Sequence, residues 1–504
     1  MKADDRRKLK NRKRRIQRRL APRTWAPQAA PMFLGSNYHY EMGERARGVT
    51  VGGLAAIHKM ARAVGLIEAL DRKVRLLKVH LPYHESDHVL SIAYNLLAGN
   101  TRLEDLELLR QNESYLDLLG AQRIPDPTTA GDFLRRFEEG DIYRLMDAQN
   151  EIRVKLWKQQ PAEFRKCARI DADGTLAPTA GEKKEGMEYS YKGVWGYHPL
   201  IVSLSNTQEP LYIVNRKGNV PSHEQAGDWL DRAIGLCEEA EFEEIRVRGD
   251  TDFSLTGKLD EWTKRGVKFV LGYDAYPNVK LIAEELKEET WQPLARPARY
   301  EIKTRERKKR PNAKDAVVIE RGFKAIRPVK EEVAEFSYQP GKCERPYRMV
   351  VIRKTLAVER GQPLLIPNDV RHFFYISNDP ALSAAEVVFE ANERCDQENL
   401  IEQLKNGVNA MRVPAYDLLS NWAYMVIASL AWTLKAWFAL TLPRAADREQ
   451  VLRMEFKRFL NAIIRIPCQV IRAARQIHLR ILAYTNCVRL LFASTGVFAR
   501  SASP

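Results

Sequence analysis

The spacing of apolar residues changes along the 504-residue chain. From Val51 to Trp157 apolar residues recur at helical intervals, which predicts a helical region over 46–160. After Pro161 they alternate or form short runs of strand length, which predicts strands at 167–176, 198–206 and 210–215. The pattern then predicts a helix, a strand, a second helix and a further strand at 222–240, 242–248, 255–265 and 267–272.

Three strands followed by alternating helices and strands is the order of a ribonuclease-H-like core, in which a meander precedes right-handed crossover units. The first part of this core is predicted at 161–273 and the second part, a strand and a helix, at 371–411. The charged segment between them, 274–370, is predicted to be a β-rich insertion with a basic surface. Residues 412–504 are predicted to be a helical region for dimerisation or DNA contact. We therefore expect a multidomain protein of α+β and α/β architecture.

The charge of the chain points to a polyanionic partner, either nucleic acid or an anionic membrane surface. The formal net charge is +16 and the isoelectric point is near 9.4. Residues 1–20 hold eleven Lys or Arg against two Asp, which predicts a disordered nucleic-acid-binding arm, with a solubilising tail as the alternative. Residues 21–45, rich in Pro, Ala and Gly, are predicted to be a linker.

Cysteine usage and the N-terminus indicate a cytoplasmic protein. The six cysteines form no C-x-x-C pair, which is typical of reduced thiols and argues against structural zinc. The N-terminus has no apolar segment of the secretory type. His84 to His88 match the H-E-x-x-H zinc pattern, but Pro82 and the Ser-Asp pair within the pattern indicate a helix start there, which would leave the first histidine outside the helix.

The segment 422–442 is apolar and about as long as a membrane-spanning helix. Lys435 interrupts it, and its three tryptophans are spread along it instead of being gathered at its two ends. We therefore expect a buried helix of a large soluble domain and no membrane partner.

The run from Ala391 to Met411 contains no proline and is predicted to be one helix. At about 100° per residue, Glu398 lies about 40° from Arg394 around the helix, and Lys405 lies about 20° from Arg394. One carboxylate and two cations would share a narrow stripe. A solvated ion pair is the alternative explanation for such a stripe.

Two further carboxylate sites lie on predicted strands. Asp171 and Asp173, two residues apart in one strand, face the same side of it. Asp250 lies at the C-terminal end of a later strand, where open α/β sheets form crevices. With Glu398 these groups offer three oxygen donors that could hold two Mg²⁺ ions. The geometry alone does not choose between Asp171 and Asp173.

These motifs resemble those of the DDE insertion-sequence transposases, in the branch whose third motif is Y-x2-R-x3-E-x6-K. Arg394, Glu398 and Lys405 match that motif, although Ala391 stands at the tyrosine position. The first family motif, D-x-T, matches at Asp173, and the second, R-x-D-[ST]-x-F, matches at Asp250.

The resemblance implies Asp173, Asp250 and Glu398 as catalytic metal ligands, with two Mg²⁺ ions or Mn²⁺ as a substitute. It implies a prokaryotic enzyme that binds terminal inverted repeats of double-stranded DNA as a homodimer, cleaves at the element ends and joins the 3′ ends to target DNA. A repressor without catalytic activity and a structure-specific nuclease on the same fold are the rival functions.

Further residues are predicted to contact DNA. Arg394 and Lys405 would neutralise phosphates beside the scissile bond. Trp195 and Tyr197 could stack on an unpaired base near the cut, with core packing as the favoured role for both. Binding of the repeat ends is expected in the helical region 46–160. The remaining predicted contacts are basic: Arg135 and Arg136 on a helix capped by Thr128 or Thr129, and Lys308 and Lys309 in the insertion.

Overall fold

A large mixed sheet covered by helices organises the computed structural model, which describes residues 3–20, 47–80, 82–296, 325–359, 369–473 and 476–500. The strands are β1 Gly48–Val49, β2 Cys167–Gly174, β3 Ala177–Pro178, β4 Glu188–Tyr189, β5 Trp195–Tyr197, β6 Leu200–Leu204, β7 Glu209–Val214, β8 Glu244–Gly249, β9 Lys268–Tyr273, β10 Gln292–Pro293, β11 Ala325–Tyr338, β12 Tyr347–Glu359, β13 Asp369–Ser377, β14 Cys468–Ala473 and β15 Gln476–Ile481. The helices are α1 Ala3–Leu20, α2 Leu54–Ala63, α3 Leu66–Lys73, α4 Glu85–Leu97, α5 Leu106–Arg110, α6 Glu113–Leu119, α7 Pro127–Leu134, α8 Glu139–Lys158, α9 Ala226–Glu239, α10 Leu259–Lys264, α11 Pro277–Glu284, α12 Ala384–Glu393, α13 Cys395–Glu402, α14 Leu418–Leu440, α15 Ala445–Leu452, α16 Phe456–Phe459 and α17 Val488–Arg500.

The large sheet has the strand order β10-β11-β12-β13-β9-β8-β2-β6-β7. β2 pairs in parallel with β8, and β8 in parallel with β9, whereas β2, β6 and β7 form an antiparallel meander. The predicted order of strands and helices from 167 to 273 is confirmed by β2, β6, β7, α9, β8, α10 and β9. The strands β10 to β12, which fall within the predicted insertion, continue the same sheet through β13.

The predicted helical texture of 46–160 is confirmed by α2 to α8. Asp126 caps α7 by accepting a hydrogen bond from the backbone nitrogen of Thr129, at 2.9 Å, so the prediction of a threonine cap is wrong. Helix α4 begins at Glu85, which leaves His84 outside it, as the sequence indicated for the zinc-like pattern. His88 is buried and stacks on Phe133 with ring centroids 4.4 Å apart.

Helix α14 confirms the prediction of a buried apolar helix. Among the described residues it alone is long and apolar enough to cross a membrane, and its apolar window is entirely buried inside the protein. It packs against α4 and α8 and against β7. Helices from the N-terminal and C-terminal regions therefore share one core with the sheet.

Lys435 is a buried ionisable residue in this helix. Its Nζ donates to the carbonyl oxygen of Leu452 at 2.8 Å and lies 3.5 Å from the ring centroid of Trp432. Burial lowers the pKa of Lys435 to about 7, although the negative charge of Glu209 opposes the shift. The neutral amine is therefore the form that the folded protein favours.

We expect the stability of the protein to depend on pH through Lys435. Between pH 7 and the ordinary lysine pKa near 10.4 the unfolded chain binds this proton and the folded chain does not, so stability rises with pH. The slope contributed by Lys435 is at most about 1.4 kcal/mol per pH unit. Urea unfolding at pH 7, 8 and 9 measures it. Lys435→Met is expected to be more stable at pH 7 and to lose this part of the slope; an unchanged slope would contradict the assignment.

Two predictions for the chain ends are wrong. Residues 3–20 were expected to be disordered, but they form α1, whose Arg12 donates to the carbonyl oxygen of Ile481 at 2.7 Å. The C-terminal region was expected to be wholly helical, but β14 and β15 form a hairpin there and pair with β1. Burial alternates in β14, where Cys468 and Val470 are buried and the residues between and after them are not, so a strand period prevails over the helical one predicted for this region. The predicted linker, 21–45, lies outside the described residues.

Candidate active site

Parallel pairing of β2 with β8 brings the two upstream carboxylate motifs together. Asp171 is the register partner of Arg248, and the same register carried two residues further places Asp173 beside Asp250. Asp250 follows the last residue of β8 in extended conformation, and its Oδ1 accepts a hydrogen bond from the nitrogen of Asp252 at 3.1 Å. A Cβ on Gly272 would lie 2.7 Å from the carbonyl carbon of Asp250, so glycine there lets β9 approach this turn closely.

Arg394 bridges the two carboxylates. Its Nη1 lies 3.1 Å from Oδ2 of Asp173, and its Nη2 lies 4.0 Å from Oδ2 of Asp250. Burial raises the pKa of Asp173 to about 6; the charge of Arg394 opposes this shift and the charge of Asp250 adds to it. Burial also raises the pKa of Asp250, again against the effect of Arg394. Asp173 and Asp250 are thus two partly buried carboxylates close to each other, and a cation between them stabilises their negative charges.

Asp171 has a different environment although it shares the face of β2 with Asp173. Both of its oxygens accept from Arg248, at 2.7 Å from Nε and 2.8 Å from Nη2, and both side chains are almost completely buried. A carboxylate engaged in this way has little capacity left for another ligand. The structure therefore favours Asp173 as the group available to a ligand.

A third acidic group, Glu390 on α12, completes the ion pairs behind Asp171. Its Oε1 lies 3.0 Å from Nε of Arg169 and 3.1 Å from Nη1 of Arg248, and its Oε2 lies 3.2 Å from Nη1 of Arg246. Sequence reasoning missed this residue. The available signal was the alternation of arginines at 246 and 248 on one strand, since a row of buried cations requires an acidic partner.

The predicted single helix 391–411 is wrong, because the helix is interrupted at Arg394. Helix α12 ends at Glu393, α13 begins at Cys395, and a π-helical turn, Gln403–Gly407, follows α13. Tertiary contacts hold both sides of the interruption: Arg394 binds Asp173, and Gln397 donates to the carbonyl oxygen of Ile201 at 3.0 Å. Arg394 itself keeps right-handed helical backbone angles, so the interruption is local, whereas the π-helical turn changes the angle assumed for Lys405.

Glu398 and Lys405 differ in their relation to the carboxylate pair. Glu398 is exposed, and no hydrogen bond or ion pair engages its carboxylate within the described part of the chain. Burial lowers the pKa of Lys405, while Glu402 and Asp173 oppose the shift and Lys192 reinforces it. Lys405 therefore lies within electrostatic range of Asp173, whereas Glu398 does not join the pair in this arrangement.

A small sheet of β3, β5 and β4 carries exposed aromatic side chains beside the site. Trp195 is 42% exposed and packs against Tyr189 with ring centroids 4.0 Å apart, so core packing is wrong for Trp195. Tyr197 is fully buried, as that alternative required. His198, which directly follows β5, lies against Gly174 at the end of β2, since a Cβ added to Gly174 would be 2.8 Å from Nε2 of His198. The small sheet is therefore next to the strand that carries Asp173. Exposed Tyr189 was not identified from the sequence.

Of the other predicted DNA contacts, two are exposed side chains and two lie outside the described residues. Arg135 and Arg136 are exposed at the end of α7, where Arg135 pairs with Asp132. Lys308 and Lys309 lie outside the described residues. Ala391, which stands at the tyrosine position of the third motif, and Tyr375 of β13 both pack against the same small apolar cluster.

The carboxylate pair fits a hard divalent cation in its chemistry. Asp173 and Asp250 are oxygen donors, and the cation that lies between them is the guanidinium of Arg394, a side chain of the protein itself. Within the described ranges no group of three His, Cys, Asp or Glu side chains is close enough to hold a metal ion. The pair is thus formed, and the three-carboxylate cluster expected from the sequence is not.

Two carboxylates that share an arginine, with a lysine in electrostatic range, at the C-terminal ends of neighbouring parallel strands are typical of enzymes that act on phosphodiesters. The family model described as transposase DDE domain group 1 matches residues 45–499, so the chain belongs to that family of DDE transposases. The comparison with curated proteins gives no match.

A solved structure described as a cryo-EM structure of the piggyBac transposase synaptic complex with hairpin DNA is similar at a TM-score of 0.35. The sequence identity is 11%, over 82% of this chain and 84% of that chain.

Proposed function

We propose that the protein is the transposase of an insertion sequence, which binds terminal inverted repeats, cleaves DNA at the element ends and joins the 3′ ends to target DNA. The observation that carries the proposal is the Asp173–Arg394–Asp250 arrangement in a chain of the transposase DDE family. The strand order β7-β6-β2-β8-β9, an antiparallel meander followed by two parallel crossovers, supports a ribonuclease-H-like core.

Asp173 and Asp250, with Glu398 as a third donor, are the residues that would hold Mg²⁺, or Mn²⁺ in its place. When bound, the ions would activate a water or a 3′-hydroxyl and neutralise charge on the leaving oxygen. Glu398 would join the pair by movement of α13 about the interruption at Arg394, since α12 and α13 are separate helices.

The protein's own cations would act on the DNA. Arg394 offers a planar fork that contacts Asp173, and Lys405 offers a point charge within electrostatic range of Asp173, where the scissile phosphate would be bound. The exposed ring of Trp195, backed by Tyr189, would stack on an unpaired base next to the cut. We propose that the protein acts as a homodimer in the cytoplasm of a prokaryote.

A joining assay tests the proposed function against its rivals. The purified chain is incubated with Mg²⁺, a supercoiled target plasmid and a duplex that ends in the pre-cut inverted repeat flanking its gene; a parallel reaction contains a duplex with the uncut repeat end. Covalent joining of the 3′ end is expected. Binding of the repeat without cleavage or joining would indicate a repressor, and cleavage of uncut repeat ends without joining would indicate a nuclease.

Helix α1 is expected to contribute to non-specific DNA affinity. The triple change Lys13→Gln, Arg14→Gln and Arg15→Gln removes exposed charges from α1 and spares Arg12, which anchors the helix. Because each neutralised phosphate contributes about 0.9 to the slope of log K against log[salt], the slope should flatten by up to about 2.7. Fluorescence anisotropy with a random duplex at several salt concentrations measures it.

Three cations elsewhere provide a matched control for the α1 variant. Arg72, Lys73 and Lys155 all pair with Glu151, and their replacement by glutamine removes the same charge. This control should leave the salt slope nearly unchanged. Equal slopes for both triple variants would assign the affinity to net charge in general and contradict a role for α1.

A further inference from the structure

The paired charges of β2 and β8, on the face of the sheet that carries α12, change from positive to negative along the strands. The parallel pairing of β2 and β8 places Arg169 beside Arg246 and then Asp171 beside Arg248. Asp173 and Asp250 follow as the next pair. The sheet is thus positive at one end of this row and negative at the other, over a distance of four residues.

Helix α12 and Arg394, which directly follows it, present charges in the complementary order, negative first and then positive. Glu390 lies over the arginines, and Arg394, four residues later and about one helical turn further on, lies over the two aspartates. A shift of α12 by one turn would bring Glu390 towards the aspartates or Arg394 towards the arginines, and both outcomes place like charges together. Because Arg248 is fully buried and Glu390 nearly so, solvent screens these contacts little.

We propose that Glu390 is a positioning residue for the candidate active site. Its pairing with Arg169, Arg246 and Arg248 fixes the register of α12 and thereby delivers the guanidinium of Arg394 between Asp173 and Asp250. The inference rests on the proposed function, because it concerns how the same two carboxylates are presented to a divalent cation. A guanidinium held there lies against an oxygen of each carboxylate and competes with a divalent cation for those oxygens.

Mn²⁺ binding to the full chain without DNA, measured by isothermal titration calorimetry, tests the proposal. Arg394→Gln is expected to tighten Mn²⁺ binding by about tenfold, and Glu390→Gln by a similar factor, since Arg394 is no longer held in place. If Glu390→Gln acted only by removing a negative charge, it would weaken Mn²⁺ binding. Tighter Mn²⁺ binding therefore indicates that Glu390 acts by positioning Arg394. The double variant should bind Mn²⁺ no more tightly than Arg394→Gln does.

Asp379→Asn is the matched control. Asp379 is also a buried acid that pairs with Arg246, at 2.6 Å, but it lies outside α12. Its replacement should lower the unfolding midpoint without tightening Mn²⁺ binding. If Glu390→Gln does not fold, Glu390→Asp keeps the charge, moves it back by one methylene and should tighten Mn²⁺ binding to an intermediate degree.

The outcomes separate this proposal from the proposed function. Weaker or unchanged Mn²⁺ binding by the folded Glu390 variant, or an effect fully additive with that of Arg394→Gln, overturns the positioning role alone. Mn²⁺ binding by Asp173→Asn equal to that of the unaltered chain overturns the metal site, and the inference with it.

Discussion

Asp173→Asn is expected to abolish end cleavage while leaving the fold intact. Asp173 is a desolvated carboxylate whose pKa is raised to about 6 and which faces a second carboxylate, Asp250, across Arg394. Its amide replacement relieves that repulsion, so stability should be unchanged or slightly higher, while the oxygen donor that a divalent cation requires is weakened. The expected loss of cleavage rate is on the order of 10³-fold or more.

The measurement is cleavage of a labelled repeat-end duplex over a range of Mg²⁺ and Mn²⁺ concentrations, together with thermal unfolding. Asp250→Asn should behave like Asp173→Asn at every metal concentration. Repeat-end binding should persist in both variants, because affinity comes mainly from many phosphate contacts.

Asp171→Asn is the control within the same strand. Because Asp171 holds buried Arg248 through two hydrogen bonds, its replacement should lower stability. Some activity should remain, with a higher metal requirement, since its charge still favours cations at longer range. A folded, inactive Asp171→Asn beside an active Asp173→Asn would make Asp171 the ligand.

Glu398→Ala in the same assay tests the third carboxylate, which the structure does not bring to the pair. Abolished cleavage is expected if α13 moves to complete the site. Cleavage at more than about a tenth of the normal rate would remove Glu398 from the catalytic set.

The carboxylate pair was predictable because each motif carries local information. Two aspartates at alternate positions share a strand face, and Asp250 follows the C-terminal end of a strand. The local sequence did not show that these two strands, β2 and β8, pair in parallel, which is what brings the aspartates together. The strands and helices between 167 and 273 were predictable for the same reason, since the spacing of apolar residues that identifies each of them lies within a short continuous segment.

The features that the sequence did not reveal depend on contacts between distant segments. No local stop signal marks Arg394; the helix is interrupted there between contacts to β2 and to β6, more than 190 residues earlier in the chain. Helix α1 was predicted to be disordered from its charge, but Arg12 binds carbonyl groups of the C-terminal hairpin. Neither contact can be read from the local pattern.

Glu209→Gln is expected to destabilise the protein by about 3–5 kcal/mol, because it leaves a buried arginine without its counter-charge. Oε1 of Glu209, at the start of β7, lies 3.0 Å from Nε of Arg153 on α8, and both side chains are no more than 1% exposed. Trp437 of α14 donates to the same oxygen at 2.9 Å. This one carboxylate therefore joins the N-terminal helices, the sheet and the buried helix α14.

A double variant identifies the origin of that loss. Adding Arg153→Met to Glu209→Gln removes the unpaired charge and leaves an amide oxygen to accept from Trp437, so much of the stability should return, as judged from urea unfolding. Glu449→Gln is the surface control: its pair with Arg453 is largely exposed, and its loss should cost less than about 1 kcal/mol. If the double variant is less stable than Glu209→Gln alone, the cost arises from lost packing around Arg153 and not from its unpaired charge.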